Sequence, residues 1–191
     1  MRTIINDNTN EIIIKNSRFI NLLIKINNPN IDSIITKIKE KYPKATHYCY
    51  AYIYNDIKRF SDDAEPTGTA GMPLLNVLEK ENLNNILTVT VRYFGGIKLG
   101  AGGLVRAYTK SLTENLKNTE LCELEDGYKI EINFNYNDEK QINYLLDDSI
   151  ILEKYYDESI KYISLVKDDI LTKLHNYNVT ILEKIFIEKK N

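Results

Sequence analysis

A chain of 191 residues with 43% hydrophobic side chains suits one large or two small packed domains, which excludes wholesale disorder. A formal net charge of −2 excludes a globally basic nucleic-acid coat and leaves room for a local basic patch. Cys49 and Cys122 are too few and too far apart for a disulfide framework or zinc knuckle.

No apolar run approaches the roughly 20 residues of a membrane helix. The start, Met1 to Asp7, lacks the apolar stretch of a signal peptide. A cytoplasmic protein without membrane contacts is expected.

In chain order, residues 11–15 and 18–26 are rich in Ile, Leu and Phe and short enough for strands. Residues 29–42 read as a helix: Ile31, Ile34, Ile35 and Ile38 form one apolar face, Asn30 is the expected N-cap, and Pro43 stops it. Residues 46–54 read as a strand. Alternation sets His47, Cys49, Ala51 and Ile53 on one face and four tyrosines, 48, 50, 52 and 54, on the other. Residues 55–67 read as a polar loop, 69–81 as a helix with Pro73 in its first turn, and 86–94 as a strand. After a glycine cluster, residues 104–117 read as a helix with Leu104, Tyr108, Leu112 and Leu116 at spacing four.

Residues 118–127 are polar and acidic and place a domain boundary, giving domains 1–126 and 127–191. The second then reads strand (128–136), helix (138–147), strand (150–156), strand (159–166), helix (168–176), strand (179–187). That is the β-α-β-β-α-β order of a ferredoxin-like domain, with Asp157-Glu158 as its central turn. The fold class is α+β, in two-layer α/β domains.

Two segments carry chemistry. Residues 92–108 hold five of the eight glycines, and no acidic side chain occurs from Asn82 to Thr113. A strand leading through glycines to a helix start presents free N–H groups and a positive dipole end, suited to an anion. Arg92, Gly95, Gly96, Lys98, Gly100, Gly102, Gly103, Arg106 and Lys110 are the candidate anion- or nucleic-acid-binding residues. Neither G-x-G-x-x-G nor the P-loop pattern is present, so close packing and a tight turn are the competing reading.

The second segment offers Asp62, Asp63 and Glu65 just before a helix start. They can form a magnesium or acid/base cluster, or cap the helix and pair with arginine. The latter reading predicts Arg92 or Arg106 within ion-pair distance of one of them, provided the strands before the two loops run parallel. Cys49, two residues from His47 on one strand face, reads as buried and inert. The tyrosines opposite either stack bases or pack under a helix. His175 reads as a surface residue.

At Ser17-Arg18-Phe19-Ile20, the strand from His47, Ser61 to Pro73, Arg92 to Gly100 and Gly102 to Tyr108, the chain resembles the YigZ/IMPACT family. Two positions depart from it. The family usually has Gly at Ala64, from which a loop without positive φ is expected here. It usually has Lys at Met72, so no lysine at that helix start can bind phosphate. The resemblance implies an N-terminal domain like domain IV of elongation factor G, with a ribosomal-protein-like β-α-β core. It also implies a C-terminal domain like domain V of that factor. For members of eukaryotic architecture it implies control of translation through a kinase-activating partner, bound by an extra domain outside these 191 residues.

The leading expectation is a non-enzymatic, RNA- or ribosome-associated protein linked to regulation of translation. It has no assigned catalytic residue, metal or cofactor. The alternatives are an enzyme acting on a phosphorylated small molecule through a magnesium–carboxylate site, and a protein–protein interaction module.

Overall fold

The computed structural model describes residues 1–189. The chain divides into two compact units, residues 1–123 and 124–191.

Unit one is organised by an antiparallel sheet in the order β2-β3-β6-β4-β5. Its strands are β2 (Asn8–Ile14), β3 (Ser17–Lys25), β4 (His47–Tyr54), β5 (Ile57–Ser61) and β6 (Ile86–Tyr93). A short β1 (Arg2–Ile4), absent from the sequence reading, pairs with the start of β7 (Leu121–Phe134). The central strands are buried on both faces, so side-chain alternation separates two cores. On one face Ile20, Leu22, Tyr52, Tyr54, Leu87, Val89 and Val91 pack with Ile31, Ile34, Ile35 and Ile38 of α1 (Asp32–Lys41). On the other, Phe19, Leu23, Cys49, Ala51, Ile53 and Ile86 meet α2 (Gly71–Lys80) and α3 (Ala101–Lys117). The sheet thus carries helices on both faces, one layer more than expected. The four β4 tyrosines pack on the α1 side, which is the helix-packing reading of them. Each fully buried Leu or Ile contributes roughly 1.5–3 kcal/mol.

Helix starts differ from the pattern-based expectation. The N-cap of α1 is Ile31, not Asn30, whose Oδ1 accepts a long hydrogen bond from the Asp32 N–H (3.4 Å). Helix α3 begins three residues early, at Ala101, so Gly102 and Gly103 belong to its first turn. Apolar periodicity starts only at Leu104 and cannot register a turn made of small residues.

The largest difference is β5. Residues 55–67 were expected to be a polar loop, yet Ile57–Ser61 pairs with β4, from Tyr54↔Ile57 to Tyr50↔Ser61. The hairpin turns at Asn55, which takes the left-handed conformation (φ 49°) that asparagine tolerates. Lys58 and Arg59 gave the segment a loop-like composition; on an edge strand such charges are normal.

A buried polar stripe fixes α3 on the sheet. The Asn21 amide donates to Thr88 Oγ1 (2.8 Å) and Thr90 Oγ1 (2.9 Å). The Asn115 amide donates to the Asn21 backbone carbonyl and to Asn21 Oδ1 (both 2.9 Å), and Thr90 meets Ser111 (3.2 Å).

In unit two, the rest of β7 is followed by α4 (Glu139–Leu145), β8 (Ile150–Tyr156), β9 (Ile160–Lys167), α5 (Asp168–Lys173) and β10 (Asn178–Glu188). All pairings are antiparallel in the order β10-β7-β9-β8. This is the ferredoxin-like arrangement. Ile130, Ile132 and Phe134 of β7 and Tyr162 and Val166 of β9 pack on Ile142, Ile170 and Leu174. Residues 121–127, expected to be a polar boundary stretch, are β strand: the Gly127 backbone pairs with both Ile185 and Lys167. Among the described residues no helix is long and apolar enough to cross a membrane.

Candidate functional site

The acidic segment is built into the fold. Asp62 accepts the backbone N–H groups of Ala70 (3.0 Å), Gly71 (2.8 Å) and Gly68 (2.8 Å), and so caps α2 from outside the helix. Gly71 is required by contact, since a Cβ there would lie 2.6 Å from the Ser61 carbonyl oxygen. An Asp63 carboxylate oxygen accepts the Tyr48 N–H (2.6 Å). The expected absence of positive φ is overturned: Asp63 (φ 41°) and Ala64 (φ 64°) are both left-handed. In this turn the Asp63 carboxylate reaches β4 and the Asp62 carboxylate reaches the start of α2 from adjacent residues.

Glu65 is buried, and its Oε1 accepts from Arg92 Nη1 (2.6 Å) and the Tyr108 hydroxyl (2.7 Å). His47 Nε2 lies 3.8 Å from Glu65 Oε2, while its Nδ1 meets the Asp63 carbonyl oxygen (2.8 Å). One carboxylate therefore joins the acidic loop, β6 and α3. The expected arginine contact is present, but the reason given for it was not. β4 and β6 are antiparallel, with His47 opposite Arg92. The unforeseen β5 reverses the chain, so the acidic loop leaves the sheet beside the start of β4 and hence beside the end of β6.

Cys49, fully buried, donates its thiol toward the Asp62 carbonyl oxygen (3.0 Å) and lies 3.3 Å from the Tyr108 hydroxyl. Burial pushes the Cys49 thiol far above its ordinary pKa, and nearby Glu65, Asp63 and Asp62 add to the rise. Burial likewise raises the Tyr108 hydroxyl, with Cys49 and Glu65 reinforcing it. Neither group is activated as a nucleophile. Among the described residues no group of three His, Cys, Asp or Glu side chains is placed to hold a metal ion.

The basic candidates divide. Arg92 is 4% exposed; its Cζ lies 5.3 Å from the Phe19 ring and 5.5 Å from that of Phe94. Its Nε is buried without a hydrogen-bond partner. Lys98, Arg106 and Lys110 are exposed and enter no ion pair within 4 Å among the described residues. Residues 94–100 link β6 to α3, whose N-cap, Gly100 (φ 70°), provides no side chain to cap the helix. Gly96 (φ 84°) and Gly100 are open to solvent, whereas Gly95 is pressed on Asn16, where a Cβ would lie 2.1 Å from backbone carbon. The Gly95 N–H donates to Ser17 Oγ (3.1 Å). Gly102 and Gly103 lie in the first turn of α3.

Sequence reasoning missed Tyr108 as a polar participant, because its place in a spacing-four row reads as core, and its ring does pack edge-on against Phe19 (5.3 Å). His47 was noted only beside Cys49; no local signal marks its approach to Glu65.

The fold and site define a two-unit α+β protein, whose N-terminal unit sets a buried Arg-Glu-Tyr junction behind an uncapped, basic helix start. The Impact N-terminal domain profile matches residues 15–116, and the chain belongs to the YigZ/IMPACT family. An IMPACT family member, YvyE of Bacillus subtilis (strain 168), is 38% identical over 164 residues, covering 83% of this chain and 76% of the relative. IMPACT family member YigZ of Escherichia coli (strain K12) is 39% identical over 110 residues, 54% of each chain. Protein IMPACT of Homo sapiens is 40% identical over 76 residues, 37% of this chain and 24% of the human protein. The chain thus spans three quarters of the first of these, about half of the second and a quarter of the third. A crystal structure of a hypothetical protein superposes with a TM-score of 0.72 at 26% identity, over 99% of this chain and 98% of the other.

Proposed function

We propose that the protein is a non-enzymatic, RNA- or ribosome-associated factor of the cytoplasm, linked to the regulation of translation. The observation that carries this reading is the start of α3: an uncapped 17-residue helix with no acid in its first turn, flanked by exposed Lys98, Arg106 and Lys110. Free N–H groups and the positive dipole end favour phosphate there, and the three cations extend the field. The likeness to elongation factor G domains IV and V, implied by the family motifs, points to the same class of partner. The magnesium–carboxylate alternative is disfavoured because Asp62, Asp63 and Glu65 spend their oxygens on backbone N–H groups, Arg92 and Tyr108.

Titration of a labelled single-stranded RNA and of ribosomal particles, at about 50 and 200 mM salt, tests the proposal. Three neutralised phosphates give a log–log slope of about −2, a roughly twentyfold loss over that range. Replacing Lys98, Arg106 and Lys110 by alanine flattens the slope. No binding at the lower salt removes the reading.

A further inference from the structure

Helices α2 and α3 leave a groove between their outer faces. β5 and β6 run in the same direction, both antiparallel to β4, and the helices that follow them pack on one face of the sheet. α2 and α3 therefore start from the same end and run side by side. Their inner faces are spent on the core, through Leu74 and Leu78 of one and Leu104 and Leu112 of the other. Above that contact the groove has a volume of about 310 Å³. Buried Pro73 and Val77 form its floor. Met72 and Val105, 38% and 37% exposed, face each other across it as apolar walls. A concave apolar surface with few polar groups is the ordinary form of a binding site.

Shape and charge narrow the occupant. Met72, Asn76 and Lys80 recur every fourth residue along the groove, a span of about 12 Å or two helical turns. No acidic side chain lines it. Lys80 stands at one end, and Arg106 and Lys110 each follow a lining residue of α3, Val105 and Thr109, by one position. All three cations are exposed and enter no ion pair within 4 Å among the described residues. The carboxylates of the same helices are engaged elsewhere, Glu79 by Lys58 and Glu114 by Lys117. No aromatic ring lines the groove either, so a nucleic acid would find cations there and nothing on which to stack a base. A partner with an apolar stripe and acidic flanks matches both the trough and its rim.

We propose that the groove between α2 and α3 docks an acidic amphipathic helix of a protein partner. Its apolar side chains at i, i+4 and i+7 seat between Met72 and Val105, and its carboxylates reach Lys80, Arg106 and Lys110. The inference does not rest on the RNA reading, with which it shares Arg106 and Lys110.

The test uses the full chain, isotopically labelled at its methionine methyl groups. There are two methionines, so the spectrum holds one reporter in the groove, Met72, and one reference outside it, Met1. The probe is a stapled helical peptide of about 15 residues, roughly 22 Å long, with leucines at i, i+4 and i+7 and glutamates beside them. Titration should shift the Met72 methyl saturably and leave Met1 in place. The same peptide with lysine for glutamate should bind about tenfold more weakly or worse. Val105→Glu, at an exposed position, should abolish the shift, and Lys80→Glu combined with Lys110→Glu should reverse the preference between the two peptides. A Met72 methyl unmoved at about millimolar peptide would overturn the inference, and so would equal affinity for the two peptides. A photo-reactive residue at Asn76 in living cells identifies the natural occupant. Cross-linking to an acidic helical segment of another protein supports the proposal, whereas cross-linking to RNA alone or to a second copy of this chain overturns it.

Discussion

Replacing Glu65 by alanine removes one acceptor from two buried donors. The Arg92 guanidinium loses the carboxylate it pairs with, and the Tyr108 hydroxyl loses its 2.7 Å acceptor. Both side chains of the ion pair are about 5% exposed or less, so solvent cannot rescue the charge left behind. Breaking a buried pair from one side costs about 3–5 kcal/mol. For a unit of residues 1–123 that lowers the melting temperature by about 10 °C or more. The internal control is Glu11→Ala. Glu11 and Arg18 form a better-shaped, bidentate pair, but their side chains are 39% and 49% exposed. Water replaces what is lost there, so that variant should melt close to the parent. Thermal and urea unfolding followed by far-ultraviolet circular dichroism compares the two. Equal costs would refute the argument that burial, rather than pairing geometry, gives Glu65 its weight.

Ala64→Gly relieves a left-handed alanine (φ 64°) and should stabilise the protein by roughly 0.5–1 kcal/mol; a lower urea midpoint would contradict this. Gly95→Ala should destabilise more than Gly96→Ala, because the first drives a methyl into Asn16 whereas the second meets only an unfavourable φ. The reverse ranking in urea would show that the close approach is dispensable. Cys49 is fully buried and its thiol is held far above its ordinary pKa, so it should resist a thiol reagent at mildly alkaline pH in the native state and react once unfolded. Native labelling of Cys49, read by peptide mass spectrometry, would argue against that packing.

Much of the fold was legible because its signals are local. Alternation in β4 correctly sent His47, Cys49, Ala51 and Ile53 to one face and the tyrosines to the other. The isoleucines of α1 and the row from Leu104 to Leu112 fixed two helices by spacing alone. What was hidden depends on pairing between distant segments. β5 has no apolar alternation strong enough to outweigh Lys58 and Arg59, so only its partner strand reveals it. The Arg92–Glu65 contact followed from charge, since three carboxylates need a cation, but its geometry needed the hairpin. The left-handed turn at Ala64 was invisible because alanine carries no mark of positive φ. The separation of Arg92 from Lys98, Arg106 and Lys110 could not be read from composition: one is buried and three are exposed, though all four lie within one basic stretch.

The polar stripe between α3 and the sheet constrains how this protein can drift. Asn21 spends its amide on Thr88 and Thr90, and Asn115 spends its own on Asn21. A single apolar replacement at any of these positions strands a partner without water, at about 1–3 kcal/mol. Replacing the set together leaves nothing stranded. Change along β3, β6 and α3 is therefore expected to come in concerted steps, with intermediates selected against. While the stripe persists, a slide of α3 along the sheet by a residue is opposed, because the Asn115 amide would lose both Asn21 oxygens and Ser111 its contact with Thr90 at once. The exposed start of the helix inherits that fixity, although none of the stripe residues lies near the surface they hold in place.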